Sequence, residues 1–501
     1  MTTHSEQHFD PDTMPPDVRP VIVISGSMRE MGVQYGRQAR EIIARNATVV
    51  RATILPMWND DWAAMVDEMR RYERMVGEQN PGMLELWQGM AEGSGLDYLD
   101  VLIVNLSLPL LIMAPPERLE TGRHSMCSTF SAWGSATVDG KLYASANLDQ
   151  GWNAGTYTVV VVAFPDDGEP FISTPPWGGE IVGSLNMNAA GLVVMGSGGQ
   201  SARPEDYAVA VPNMTSKLTA LMHARTADEA VASYLSVQSS NAENAHFADP
   251  STAKLVEYTP AHHAVRGAGD HGERDYLVAT NHFLDEEMQS SLEPEDGDGY
   301  RDGWYDAWPR YSSYDRLLSE QHGELTLDRI AAVLGSHDYW DGEAWQRDVY
   351  SLEPEADPRS CWSPEMRGPQ WKTLMKTIAI PEDRTVYLMN GESDRRMSTL
   401  PDAPGEYCRL VLGSSLEAIA ASAVEDAKTD IWETGRDLNR ADSVSPEQDE
   451  LLNRAKRELW RGFNLQAVGK VSEDRDEALR LMGEALTGYL RAQTYARRAR
   501  A

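Results

Sequence analysis

The chain has 501 residues, with 45 Lys and Arg against 77 Asp and Glu, a formal net charge of −32. So acidic a balance argues against nucleic acid and anionic membrane surfaces as partners, while the length allows a large core and more than one structural unit. Three irregularly spaced cysteines, Cys127, Cys361 and Cys408, fit a reducing, cytoplasmic setting rather than a disulfide framework.

Residues 1–19 read as a loose arm without the apolar core of a secretory signal. Val21 to Ile24 reads as a short strand. Met28 to Leu55 and Met57 to Met90 carry helical spacing, with breaks expected at Pro56 and Pro81. Trp58, Trp62 and Trp87 read as core or interface aromatics. Asp97 to Leu108 is a further helix, capped by Asp97, which Pro109 should kink or end. Val101 to Ala114 is apolar but short of the ~18 residues of a membrane span, and reads as buried core. Residues 117–126 form a polar loop.

Residues 128–137 suit a strand, Asp139-Gly140 a two-residue turn, and 141–148 the returning strand. That hairpin brings Cys127 to the same open end as Asn147 and Asp149, and a thiol beside a carboxylate and an amide is a workable nucleophile site. Against this, a lone Cys before a strand is more often a small buried hydrophobe, and Asp149 equally suits the start of a turn at Gln150 to Asn153.

Tyr157 to Phe164, with Val159 to Val162, reads as a strand buried on both faces. Glu180 to Met187 and Gly191 to Ser197 read as a hairpin around Asn188-Ala189-Ala190. Ser197-Gly198-Gly199 either offers backbone donors to the site or is a plain loop, the latter being favoured. Helices are expected at Asn213 to Ala224 and Ala227 to Leu235, strands over 244–283, and an acidic loop at Glu286 to Tyr305. Glu293 to Gly299 lacks the spacing of a calcium loop. Helices are expected again at 311–321 and 326–335. His282 and His337-Asp338 lack metal-ligand spacing. Lys372 to Ile380 and Arg384 to Met389 read as the last two strands. After about 415 the chain turns helical and charged, with a helix opening at Ser472 and an apolar stripe of Leu479, Met482, Leu486 and Leu490.

The run Cys127-Ser128-Thr129-Phe130-Ser131-Ala132-Trp133-Gly134, with Asp139-Gly140 and Asn147-Leu148-Asp149, resembles the cysteine branch of the N-terminal nucleophile hydrolases, in particular the isopenicillin N acyltransferase-like family. Further matches fall in order at Gly26 to Gly36, Glu85 to Leu96 with Asp100 and Asn105, Met187 to Leu192, and Ala279 to Phe283, spanning roughly residues 20–390. The resemblance implies an α+β fold, a four-layer αββα sandwich, with a helical prosegment (1–126), a catalytic portion (127–415) and a charged helical extension (416–501). It implies self-cleavage at Met126–Cys127 and an α/β heterodimer, with higher oligomers open. Cys127 would then be the nucleophile, with its own α-amine as base, since such an amine titrates at about 7.7–8. Asp149 would orient the amine or thiol, Asn281 would hold the oxyanion, and Asn147 would line the site. The implied substrate is a small N-acyl compound, with a thioester acyl donor as a variant, and no cofactor or metal is implied.

The chain departs from the family pattern at two points. Met126 stands where a Gly often precedes the nucleophile, and Trp362 stands where relatives place an Arg after the Cys matching Cys361, so a penicillin-type substrate is not inherited. Alternatives are an ester or phospholipid deacylase, an uncut binding or assembly protein, and a cysteine hydrolase using His124 or His282 as base.

Overall fold

The computed structural model describes residues 18–112, 126–151, 158–199, 210–240, 242–290, 307–347, 362–366, 371–390 and 406–500. Residues 1–17, 113–125 (with all but the last residue of the expected polar loop), 291–306 (with 293–299) and Arg359 to Cys361 lie outside these.

The chain opens with β1 (Val21–Gly26), then α1 (Met28–Ile54), α2 (Trp62–Gln79), α3 (Pro81–Ser94), α4 (Tyr98–Asn105) and α5 (Ser107–Ile112). Pro56 lies in a 3-10 turn after α1, and Pro81 opens α3, where its missing N–H removes no bond. Asp97 caps α4 as expected, but the chain breaks at Leu106, and Pro109 falls in the first turn of α5 instead of ending a helix. The run from Val101 to Val104 is fully buried, as is Trp87.

Two glycine pairs allow α1 and α3 to cross backbone to backbone. A methyl group on Gly32 would lie 2.2 Å from the Leu86 carbonyl oxygen, and one on Gly93 would lie 2.0 Å from that of Val33. Gly36 and Gly89 are equally tight, at 2.2 Å and 2.4 Å from the carbonyl oxygens of Met90 and Arg29. The first two motifs quoted for the family resemblance are therefore the two halves of one helix contact.

The strands are β2 (Met126–Ala132), β3 (Tyr143–Gly151), β4 (Val160–Pro165), β5 (Phe171–Ser173), β6 (Leu185–Asn188), β7 (Val193–Gly198), β8 (Glu243–Ala248), β9 (Ala253–Tyr258), β10 (His263–Arg266) and β11 (Tyr276–Ala279). After them come β12 (Tyr339–Trp340), β13 (Trp345–Gln346), β14 (Trp371–Ile380), β15 (Thr385–Asn390) and β16 (Cys408–Val411). Between the strands lie α6 (Asn213–His223), α7 (Ala227–Leu235), α8 (Glu286–Ser290), α9 (Ala307–Glu320) and α10 (Leu327–Leu334). The chain ends with α11 (Leu416–Leu438), α12 (Pro446–Val471) and α13 (Arg475–Arg500).

One sheet has the order β1-β4-β5-β6-β7-β8-β9-β10 and the other β11-β2-β3-β14-β15-β16. Their inner faces meet in a core of Val160, Val162, Met187, Val193, Met195 and Leu255 against Ala144, Ala146, Leu277, Ala279 and Val386. The outer face of the first sheet packs Val161, Ala163, Val194 and Phe247 against α1 to α7, so β4 is buried on both sides. The outer face of the second packs Phe130, Val278 and Ile378 against α9 and α10. The architecture is therefore αββα. The terminal helices close the side where β1 and β16 lie: Leu479, Met482, Leu486 and Leu490 of α13 join the inter-sheet core.

Three expectations are corrected. The β2–β3 connection is a broad one, with a 3-10 turn at Gly134–Ala136, and β2 ends at Ala132 rather than 137. Gly134 holds φ +55° and its N–H bonds the Gly140 carbonyl, so the return begins five residues early. A further strand, β16, follows β15. Finally, the α13 N-terminus is capped by Asp474, whose carboxylate accepts from the N–H groups of Asp476 and Glu477, and not by Ser472.

Candidate active site

Cys127 is the second residue of β2, in register with Leu148 of β3, while Met126 pairs with Asp149 and Ser128 with Asn147. Residues in register on antiparallel strands share a face. Cys127, Thr129 and Ser131 therefore look toward the eight-stranded sheet. Thr129 Oγ1 and Ser131 Oγ there contact the two ring nitrogens of buried His246 at 3.2 Å and 3.0 Å. Ser128, Asn147 and Asp149 look the other way, toward α9 and α10.

Arg310, fully buried on α9, ties these parts together. Its Nη1 donates to the Cys127 carbonyl at 3.0 Å and its Nη2 to Asn281 Oδ1 at 2.6 Å. Asp149 Oδ2 lies 3.8 Å from its Nη1, and Asp149 Oδ1 accepts from Thr373 Oγ1 at 2.5 Å. Asn281, just past β11, also donates through Nδ2 to the Gly198 carbonyl at 2.7 Å. Its neighbours are held by Asn244, whose Nδ2 donates to the carbonyls of Thr280 (2.9 Å) and His282 (3.1 Å).

Cys127 is neither fully buried nor exposed. Burial first, and the Asp149 carboxylate second, push its pKa up to about 11; a hydrogen bond from the Asp149 backbone N–H and the charges of Arg310 and Lys217 pull the other way.

Cys127, Asp149 and Asn281 are thus brought together, with Arg310 as their common partner. Asn147 is not part of this group. Its Nδ2, with two hydrogens to give, lies within hydrogen-bond distance of Tyr314 Oη (2.9 Å), the Leu334 carbonyl (3.0 Å) and the Pro364 carbonyl (2.8 Å), which makes it a tie between β3 and the layer outside it. The expectation that it lines the site is corrected on that ground. Gly198 offers its carbonyl and Gly199 spends its N–H on the Ala242 carbonyl, and Ser197 and Gly198 are the end of β7 rather than a plain loop.

The histidines are accounted for differently. His282 is buried, with Nδ1 2.9 Å from Thr280 Oγ1 and its ring stacked 4.0 Å from Trp308. Burial, with Arg266 and Arg310 adding to it, holds its pKa well below the ordinary value. His337 pairs with Glu365 at 2.9 Å, and Glu365 also takes Lys376. His124 lies outside the described residues. Among the described residues, no three His, Cys, Asp or Glu side chains converge as metal ligands would. Nor is any described helix long and apolar enough to cross a membrane.

Sequence reasoning missed Arg310, Thr373 and Asn244. For Arg310 there was a signal: the buried face of α9 runs Ala307, Arg310, Tyr314, Leu318, and a cation in an apolar stripe of helical spacing requires a partner.

No family model matches the chain, and no curated protein matches it. Among solved structures, a mutant of conjugated bile acid hydrolase from Clostridium perfringens is similar, at 11% identity and a TM-score of 0.33, over 58% of this chain and 98% of that one. Penicillin V acylase from Agrobacterium tumefaciens is similar at 12% identity and a TM-score of 0.32, over 57% of this chain and 92% of that one. Likeness of this degree bears on neither substrate nor reaction.

Proposed function

We propose that the protein is a cysteine amidohydrolase or N-acyltransferase of the N-terminal nucleophile kind, active on a small N-acyl compound. The observation that carries this reading is the buried guanidinium of Arg310, which holds the Cys127 backbone, the Asn281 amide and the Asp149 carboxylate at one end of β2.

In the first step Cys127 Sγ attacks the Met126 carbonyl carbon. The Met126–Cys127 peptide bond breaks, and the Met126 acyl group moves to sulfur. Water then hydrolyses the thioester, leaving a carboxylate on Met126 and a free α-amine on Cys127. A thiol raised to about 11 is almost wholly protonated at neutral pH, which suits a slow precursor. The new amine, at about 7.7–8, is matched to taking the thiol proton.

In turnover the thiol attacks the substrate carbonyl while its proton passes to the α-amine and on to the leaving amine. An acyl-thioester remains, and water or a second amine takes the acyl group. An amide carries two N–H groups, so Asn281 has one for Gly198 and one for the developing oxyanion. Arg310 orients Asn281 from its oxygen end, and Asp149 balances the guanidinium charge.

Intact mass, measured beside a Cys127→Ala variant, tests the reading. Pieces spanning residues 1–126 and 127–501 in the wild type alone, with turnover of at least one N-acyl amide, are expected. A single full-length mass in both samples removes the amine base and sinks the mechanism.

A further inference from the structure

On the outer face of β7 and β8, where α6 and α7 pack, lies an ion pair that the mechanism above gives no role, although the charge of its Lys217 reaches the Cys127 thiol. Lys217 of α6 and Glu243 of β8 are bonded to each other with side chains only 4% and 2% exposed. The second carboxylate oxygen of Glu243 accepts from Asn213 Nδ2 at 2.5 Å and Tyr234 Oη at 3.1 Å. Three donors from α6 and α7 therefore grip one carboxylate. A buried ion pair is weak support for stability, because an apolar pair of similar volume often does as well. What it does supply is a single geometry.

That geometry is passed to Asn281 by two short routes. Glu243 is in register with Gly198, the residue whose carbonyl holds the Asn281 amide. The next residue, Asn244, points to the opposite face and bonds the carbonyls on either side of Asn281. The clamp also shapes the strand between: a methyl group on Gly196 would lie 2.6 Å from Glu243 Oε1, 2.7 Å from the Asn244 carbonyl oxygen and 3.0 Å from Lys217 Nζ. Glycine is the residue that fits there.

We infer that Lys217 and Glu243, resting on the function proposed above, are positioning residues that set the oxyanion-binding amide of Asn281 from behind the sheet. Neither touches substrate. Their removal weakens transition-state binding and leaves ground-state binding alone.

Four variants test this: Glu243→Gln, Lys217→Met, Lys217→Arg and Gly196→Ala. The readouts are kcat and KM on an N-acyl amide and inhibition by the aldehyde of the same acyl group, whose hemithioacetal oxygen occupies the oxyanion position. For Glu243→Gln, Lys217→Met and Gly196→Ala, kcat should fall about ten- to a hundredfold, less than the 10²–10³ typical of losing an oxyanion donor outright. KM should stay within about twofold, aldehyde inhibition should weaken in step with kcat, and Lys217→Arg should recover most of the loss.

A lower unfolding midpoint with kcat and aldehyde inhibition unchanged would overturn the inference, since the pair would then only stabilise. A rise in KM alone would overturn it too, pointing to a substrate contact. Should Lys217→Met not fold, the near-isosteric Glu243→Gln decides. A wild type that neither cuts itself nor turns over an N-acyl amide overturns the parent reading, and this one with it.

Discussion

At the scale of single residues, Arg310 decides what the site can do. A guanidinium offers five N–H donors in a fixed fork, and two of its nitrogens serve Cys127 and Asn281 while a carboxylate faces it. An ammonium in its place serves fewer partners from a different point. Arg310→Lys should therefore lower kcat/KM by about 10²-fold, the scale of one lost oxyanion-hole contact, and steady-state kinetics on the best N-acyl amide would show it. Electrostatics give a second expectation. Burial raises the Cys127 thiol first, and Asp149 raises it further. Replacing Asp149 by Asn removes a like charge beside the thiol, which lowers it. In the uncut chain, the pH midpoint of Cys127 alkylation by iodoacetamide should be near 11 and should move down in Asp149→Asn; a move up would contradict the geometry. That Cys127, Asp149 and Asn281 come near one another was legible because each sits in a short local motif. Arg310 carries no motif, and it becomes visible only once α9 is given a buried face. The direction of Asn147 depends on strand parity relative to a layer that comes much later in the chain.

At the scale of elements, the helices were legible to within a few residues where a cap and an apolar stripe agreed, as in α1 and α7. β16 was not, because four residues, Cys408-Arg409-Leu410-Val411, show a strand only through pairing with β15. Two further elements carry predictions. Gly93 touches the α1 backbone at 2.0 Å from the would-be methyl. No rotamer change relieves a clash with a carbonyl, so Gly93→Ala should destabilise by about 1–3 kcal/mol, read as a lower urea midpoint. His246 lies between the sheets, and burial, then Arg266, pulls its pKa down to about 3 from 6.5. Between those values the unfolded chain binds the extra proton. Stability therefore falls as pH drops through that window, by at most about 1.4 kcal/mol per pH unit from this group. Urea midpoints from pH 7 to pH 4 should fall less steeply in His246→Gln than in the wild type.

At the scale of the whole molecule, the residues ahead of Cys127 are structural members of the sandwich. They supply β1, paired in parallel with β4, and the five helices α1 to α5, whose apolar faces cover the first sheet. Tyr35 of α1 donates to the Glu180 carbonyl, and Asn46 and Asn105 donate to those of Gly178 and Gly179. Opening the Met126–Cys127 bond would cut none of these ties. The leading piece would remain in place, and activation by such a cut would neither shed an inhibitor nor be reversed by adding one back. Control over such a protein would have to act on how fast the bond opens, once per molecule, as a timer rather than a switch.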